Sequence, residues 1–215
     1  MKLSKAYNRQ VFLNCPFDEG YRSIYEALIF GIMACGFVVR CAREREDSGE
    51  PRISKIVEIV RASQFGIHDV SRVELDEVNQ LPRFNMPLEL GLFLGAKACA
   101  SDSKQKKKRC LILDTEAYRY QKFISDIAGQ DIRAHHGDPA KALAATRNWL
   151  ATICTRPLPG AAELNQTYAA FIKERPTILK NLRIREDELQ FVEYVTLAQE
   201  WLKDREGRSV PEASS

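Results

Sequence analysis

The stretch QVFLNCP, residues Gln10 to Pro16, decides the fold. Its short apolar run, bounded by Asn14 and Pro16, suits a strand buried on both faces of a parallel sheet. Next comes SIYEALIFGIMACG (Ser23 to Gly36), in which Ser23 and Glu26 have the S-x-x-E spacing of a capping box. Ile24, Leu28 and Ile32 recur at helical spacing there, and Gly36 ends the element. FVVRCA (37–42) reads as a second strand, and the polar REREDSGEPR (43–52) as a mobile loop. Ile53, Ile56, Val57 and Val60 predict an amphipathic helix, and QFGIHDVS (64–71) a third strand. After a charged connection, a helix is predicted from Pro87 to Ala100, then a fourth strand, RCLILD (109–114).

Strand and helix alternate, so right-handed crossovers on a parallel sheet are expected. ALAATRNWLATI adds a helix with Leu143, Thr146, Leu150 and Ile153 on one side. After RPLPG (156–160) the pattern turns wholly helical, with Leu164, Tyr168, Phe171 and Ile172 on one face and Phe191, Val195, Ala198 and Leu202 on another. The expected architecture is an α/β sandwich with a central parallel sheet over 1–156, a helical extension over 157–206 and a disordered tail over 207–215.

Composition narrows the function classes. The chain has 45% hydrophobic and 28% charged residues and a net charge of +3, ordinary values for a globular protein that do not imply nucleic acid. The apolar stretch from Ala27 to Phe37 is too short to span a bilayer, and the first residues lack a signal-peptide core, so a cytoplasmic protein is expected. The basic run Lys104, Lys106, Lys107, Lys108 and Arg109 reads as a solvated loop. Six cysteines without a CxxC pair disfavour a metal site or a disulfide framework and suggest buried reduced thiols.

In open parallel sheets, ligands bind at the carboxyl ends of the strands. That edge receives Asn14, Cys15, Pro16, Phe17 and Asp18 from the first strand, Arg40 and Arg43 from the second, His68, Asp69 and Ser71 from the third, and Asp114 from the fourth. Neither a G-x-G-x-x-G nor a G-x-x-x-x-G-K-[ST] motif is present, which excludes the familiar Gly-rich pyrophosphate turns. H-E-x-x-H and G-x-S-x-G are also missing, which argues against a metal or Ser-triad hydrolase and leaves no cofactor expected. In LPRFNMPLELG (81–91) a carboxylate, Glu89, stands in an apolar first turn. Asn85 can cap that helix, and its N-terminus favours an ionised acid, whereas desolvation by Phe84, Met86 and Leu88 pushes the other way. Glu89 is either a helix-stabilising acid or a functional one.

HDVSR (68–72) and NMPLELG (85–91) are the residues on which the chain, from about Gln10 to Ile153, resembles the superfamily joining TIR domains with nucleoside 2-deoxyribosyltransferases. The resemblance implies a flavodoxin-like or TIR-like three-layer sandwich and cleavage of an N-glycosidic bond, with Glu89 at the catalytic position beside Asp69, Ser71 and Asn85. The chain has no Trp-Cys pair before the Glu and no N-x-G-T stretch, and the latter argues against transfer to a second base. A carboxylate can stabilise an oxocarbenium ion or trap it covalently. With NAD the leaving nicotinamide needs no acid, whereas a neutral nucleoside would draw a proton from Asp69 or His68. Arg40, Arg43 and Arg83 are candidates for phosphates, and Phe17 or Phe84 for stacking on a base, beside Asn14 and Pro16. The polar segment 118–138 is either a structural loop network or a lid. The expected function is a hydrolase of NAD or a related nucleotide in bacterial signalling or antiphage defence, assembled through its C-terminal helices; the alternative is a non-catalytic module that binds a nucleotide messenger or a protein.

Overall fold

The computed structural model of the protein describes residues 6–75 and 80–208, with the side chains of 206–208 left aside. Five strands, β1 (Gln10–Asn14), β2 (Val38–Arg40), β3 (Phe65–Asp69), β4 (Arg109–Asp114) and β5 (Arg133–Ala134), form one sheet in the order β2-β1-β3-β4-β5. Every pairing is parallel. The chain therefore reverses its direction of winding between β1 and β3, as in a flavodoxin-like three-layer sandwich, and loops diverge there at the carboxyl edge.

Helices cover both faces: α1 (Arg22–Ala34), α2 (Arg52–Ala62), α3 (Asn85–Ala98), the single turn α4 (Ser103–Lys106) and α5 (Pro139–Ala151), followed by α6 (Ala161–Leu182) and α7 (Phe191–Arg208). Alternate strand residues face opposite layers. Val11, Leu13, Phe65, Ile67, Leu111 and Leu113 join α1 and α5 in the largest core, while Phe12 meets Ile56, Ile59 and Val60 of α2 and Phe93 of α3. All five residues of β1 and of β3 are buried, as a doubly covered sheet requires.

Several local expectations are corrected. The Ser23–Glu26 capping box does not form: α1 starts at Arg22, and no side chain caps it. Glu26 is buried instead, with Arg22 at 2.9 Å and Arg175 of α6 at 2.6 Å, while its carbonyl accepts the Tyr194 hydroxyl of α7 at 2.9 Å. One residue thus holds both C-terminal helices, α6 through its carboxylate and α7 through its main-chain carbonyl, and their Leu164, Phe171, Tyr194 and Ala198 share the core of the sheet. In α2, Ile59 occupies the buried face and Ile53 is exposed.

Lys108 departs from the solvated basic run and is fully buried. Its ammonium donates to the carbonyls of Val60, which also accepts the Ser63 N–H, and of Ser63 at the end of α2, and lies 4.6 Å from the Phe93 ring centroid. β5, only two residues long, carries too little periodicity to be read from sequence. All six cysteines are free; Cys15, Cys35 and Cys41 are buried, but Cys99 is exposed. Helix α7 runs to Arg208, two residues into the expected tail, and the remainder, 209–215, lies outside the described residues. Among the described residues no helix is long and apolar enough to cross a membrane.

Candidate active site

The carboxyl ends of β1 and β3 carry Asn14, His68 and Asp69, all buried. The Asn14 amide donates to the Met86 carbonyl in the first turn of α3 at 2.8 Å and lies 3.1 Å from His68 Nδ1. It therefore fixes where α3 starts relative to β1.

His68, a candidate proton donor on sequence grounds, is withdrawn from that role. Its ring lies edge-on to Phe93 and Phe12, with centroids 4.9 and 5.7 Å away, and burial pulls its pKa down to about 3. A neutral imidazole enclosed by aromatics is a very weak acid, and this ring has no exposed surface to offer a substrate. Gly66 makes room for this ring, since a Cβ there would come within 2.5 Å of His68 Nε2.

Asp69 points to the opposite layer. Its Oδ1 accepts the Ser71 N–H at 2.9 Å, and its Oδ2 lies 2.9 Å from His135 Nε2, both side chains being fully buried. The Gly137 N–H donates to His135 Nδ1 at 3.0 Å, which leaves the ring proton on Nε2, facing Asp69. That approach falls short of good hydrogen-bond alignment. Asp69 Oδ2 and His135 Nε2 join the Tyr21 hydroxyl, Ser71 Oγ, Asn14 Oδ1 and Asp114 Oδ2 as buried polar atoms lacking a well-formed partner. Three of these atoms belong to Asp69, His135 and Tyr21, which face one another, and a buried polar cluster of this kind at a strand edge marks a candidate site. His135 and Tyr21 were missed by sequence reasoning as site residues; the polar density of 118–138 was the one available signal for His135.

Glu89 is 4% exposed. Helix α3 begins at Asn85 rather than Pro87, Phe84 occupies the cap position, and no side chain caps the helix. Asn85 is thus the first helical residue; Pro87 has no N–H and the Leu88 N–H already bonds the Phe84 carbonyl at 2.9 Å, so Glu89 lies beyond the free N–H groups of the helix start. Desolvation wins the contest that the sequence left open: burial raises the Glu89 pKa to about 7, against a lowering influence from Arg52. Arg52 Nη2 stands 4.0 Å from Glu89 Oε1. Cys15, at the end of β1, feels both Asp69 and Glu89, and its buried thiol is pushed well above its usual range, chiefly by desolvation.

The remaining candidates divide. Ser71 is buried, and its carbonyl accepts from Arg119, which also donates through Nε to Asp114 at 2.9 Å. Arg119 therefore ties the 118–138 segment to the ends of β3 and β4, which supports the structural-network reading of that segment. Arg72 reaches Asp18 at 2.8 Å and joins the loops after β3 and β1. Pro16 is buried beside this edge, whereas Arg83, Phe84 and Asn85 are exposed on the approach to α3. Arg40 is not brought to the site: its Nε and Nη2 grip Glu44 at 2.6 and 2.5 Å and its Nη1 donates to Gln10, so its fork is already filled. Phe17 packs on Tyr25 and Phe191 at 5.6 and 6.3 Å, with the Arg43 guanidinium 5.3 Å from its ring centroid. These internal contacts occupy the ring proposed to stack on a base. The hollows of about 440 and 820 Å³ beside β5, and those on α3, on α6/α7 and beside β2, are not lined by Glu89.

Comparison with known proteins gives no match: no family model, no curated protein and no solved structure aligns with the chain.

Proposed function

We propose that this chain hydrolyses the N-glycosidic bond of NAD or a related nucleotide, with Glu89 as the carboxylate that meets the sugar. One observation carries the proposal: a nearly enclosed acid, raised to about 7, at the carboxyl edge beside the β1/β3 switch point, with a single arginine at the limit of ion-pair distance. Leaving-group departure places positive charge on C1′ of the sugar. An ionised Glu89 stabilises that charge or bonds to C1′, and water then delivers the hydroxyl that completes hydrolysis. A poorly solvated carboxylate is both more basic and more responsive to a nearby cation than one in water. A substrate with a cationic base would itself favour the ionised form, which suits a nicotinamide nucleotide.

In this reading Asp69 is a positioning residue, held by Ser71 and beside His135, with no surface of its own to offer a substrate. Asn14 places the first turn of α3, Arg83 and Asn85 are the polar groups on its exposed approach, and Arg52 balances the charge of Glu89. Self-association through α6 and α7, and service in bacterial signalling or antiphage defence, belong to the same proposal by analogy of fold.

The enclosure of Glu89 favours a second reading, in which the same edge binds a nucleotide messenger or a protein without turnover. Exposed Leu81, Phe84 and Leu88 beside it would suit a protein partner. The test is to incubate the purified chain, dilute and concentrated, with NAD and with several nucleosides, and to follow free base by chromatography. Release by wild type that disappears in Glu89→Gln supports hydrolysis; tight binding without release supports the second reading.

A further inference from the structure

A separate hollow of about 570 Å³ lies between α7 and the β2 edge, near the amino end of the sheet. Its floor includes Met33, Phe37, Val39, Val195 and Leu202, and its cations are Arg9, Arg156 and Lys203. Lys203 is paired with Glu200 at 2.9 Å. The two arginines converge on Gly36, whose φ is +82°: a Cβ there would meet Arg156 Nη2 at 2.8 Å and Arg9 Nη2 at 3.4 Å. Arg9 also donates to the Gly36 carbonyl. Among the described residues no carboxylate forms an ion pair with either arginine.

Two guanidinium groups aimed at one point repel each other unless an anion lies between them. Arginine forks match the oxygens of carboxylate and phosphate groups, and an apolar floor gains from covering by hydrocarbon. A hollow of this size falls within the range of small-molecule sites. We propose that it binds a small amphipathic anion, with an oxyanion head between Arg9 and Arg156 and an aliphatic body along Phe37, Val39 and Leu202. The site stands at the opposite end of the strands from Glu89, so its occupancy and any turnover at Glu89 can be measured independently.

The test is calorimetric titration of the full chain with octanoate, octyl phosphate, 1-octanol and inorganic phosphate, each below its aggregation threshold. Octanoate or octyl phosphate should bind at least tenfold more tightly than octanol and inorganic phosphate, and whichever is preferred identifies the head group. Arg156→Gln and Arg9→Gln should each weaken that binding about tenfold while circular dichroism stays unchanged. Because Arg156 is exposed and makes no ion pair among the described residues, its variant remains informative even if Arg9→Gln disturbs the turn at Gly36. Equal binding of octanol, equal binding of bare phosphate, full affinity in the Arg156 variant, or no binding at all would overturn the proposal.

Discussion

Arg52, the first residue of α2, places its guanidinium 4.0 Å from Glu89 in α3, and among the described residues it is the one cation that lowers the pKa of that buried acid. The pairing joins two helices on one face of the sheet and holds the carboxylate at the edge of its ionisation range. Several consequences can be measured.

Stability should fall as pH rises through Glu89. The folded group keeps its proton up to about pH 7, against 4.5 for the unperturbed group. Between those values the folded chain binds more protons than the unfolded one, so stability declines across that window and levels off above it, by roughly 3 kcal/mol at most. Glu89→Gln should remove this slope and leave the protein more stable than wild type at pH 8. His68, whose pKa is lowered to about 3, gives the opposite trend in acid, and comparing the two proteins at each pH cancels it. Urea unfolding at pH 5 and pH 8 provides the measurement; equal slopes for both proteins would refute the assignment.

Removing Arg52 should act on ionisation more than on folding. The Arg52 side chain is 56% exposed, so Arg52→Ala should cost under about 1 kcal/mol. The Glu89 titration should move to higher pH, together with the acidic limb of any hydrolytic rate profile. Carboxyl-carbon NMR of the labelled protein follows this directly, and an unmoved titration would contradict it.

Gly66→Ala should destabilise a strand in which alanine would ordinarily fit. The added Cβ would lie 2.5 Å from His68 Nε2 and 3.0 Å from two Phe93 ring atoms, so the packed ring pair must shift. A loss of about 1–3 kcal/mol is expected in chemical denaturation, the usual cost of overpacking. Pairing the change with His68→Ala should recover part of it.

Glu26→Ala should loosen the C-terminal helices rather than the sheet. It removes the acid shared by Arg22 and Arg175 and leaves the Arg175 guanidinium, 13% exposed, without that partner. Breaking such a pair typically costs about 3–5 kcal/mol. The Glu186 carboxylate, 2.5 Å from Arg175, should moderate the loss. Hydrogen exchange should quicken in α6 while β1 and β3 stay protected, and α7, held by the Glu26 main-chain carbonyl that alanine keeps, should change less; uniform change across the chain would argue against the anchor.

The alternation of strands and helices was already written in the sequence, because burial on two sheet faces demands unbroken apolar runs such as Val11 to Leu13 and helices demand a repeating apolar stripe. The same logic places Asn14 and Asp69 at the carboxyl edge, whereas Glu89 joins them through the resemblance of NMPLELG. Only the tertiary structure decided what surrounds them. Glu89 acquires its raised pKa from the layer that encloses it and from Arg52, thirty-seven positions away in sequence. Asp69 finds His135 across the sheet, and Lys108 leaves a run of solvated lysines to satisfy carbonyls at the end of α2. Periodicity reports which side of an element is buried, but it carries no record of which distant residue is buried against it, and solvation and charge pairing depend on that partner.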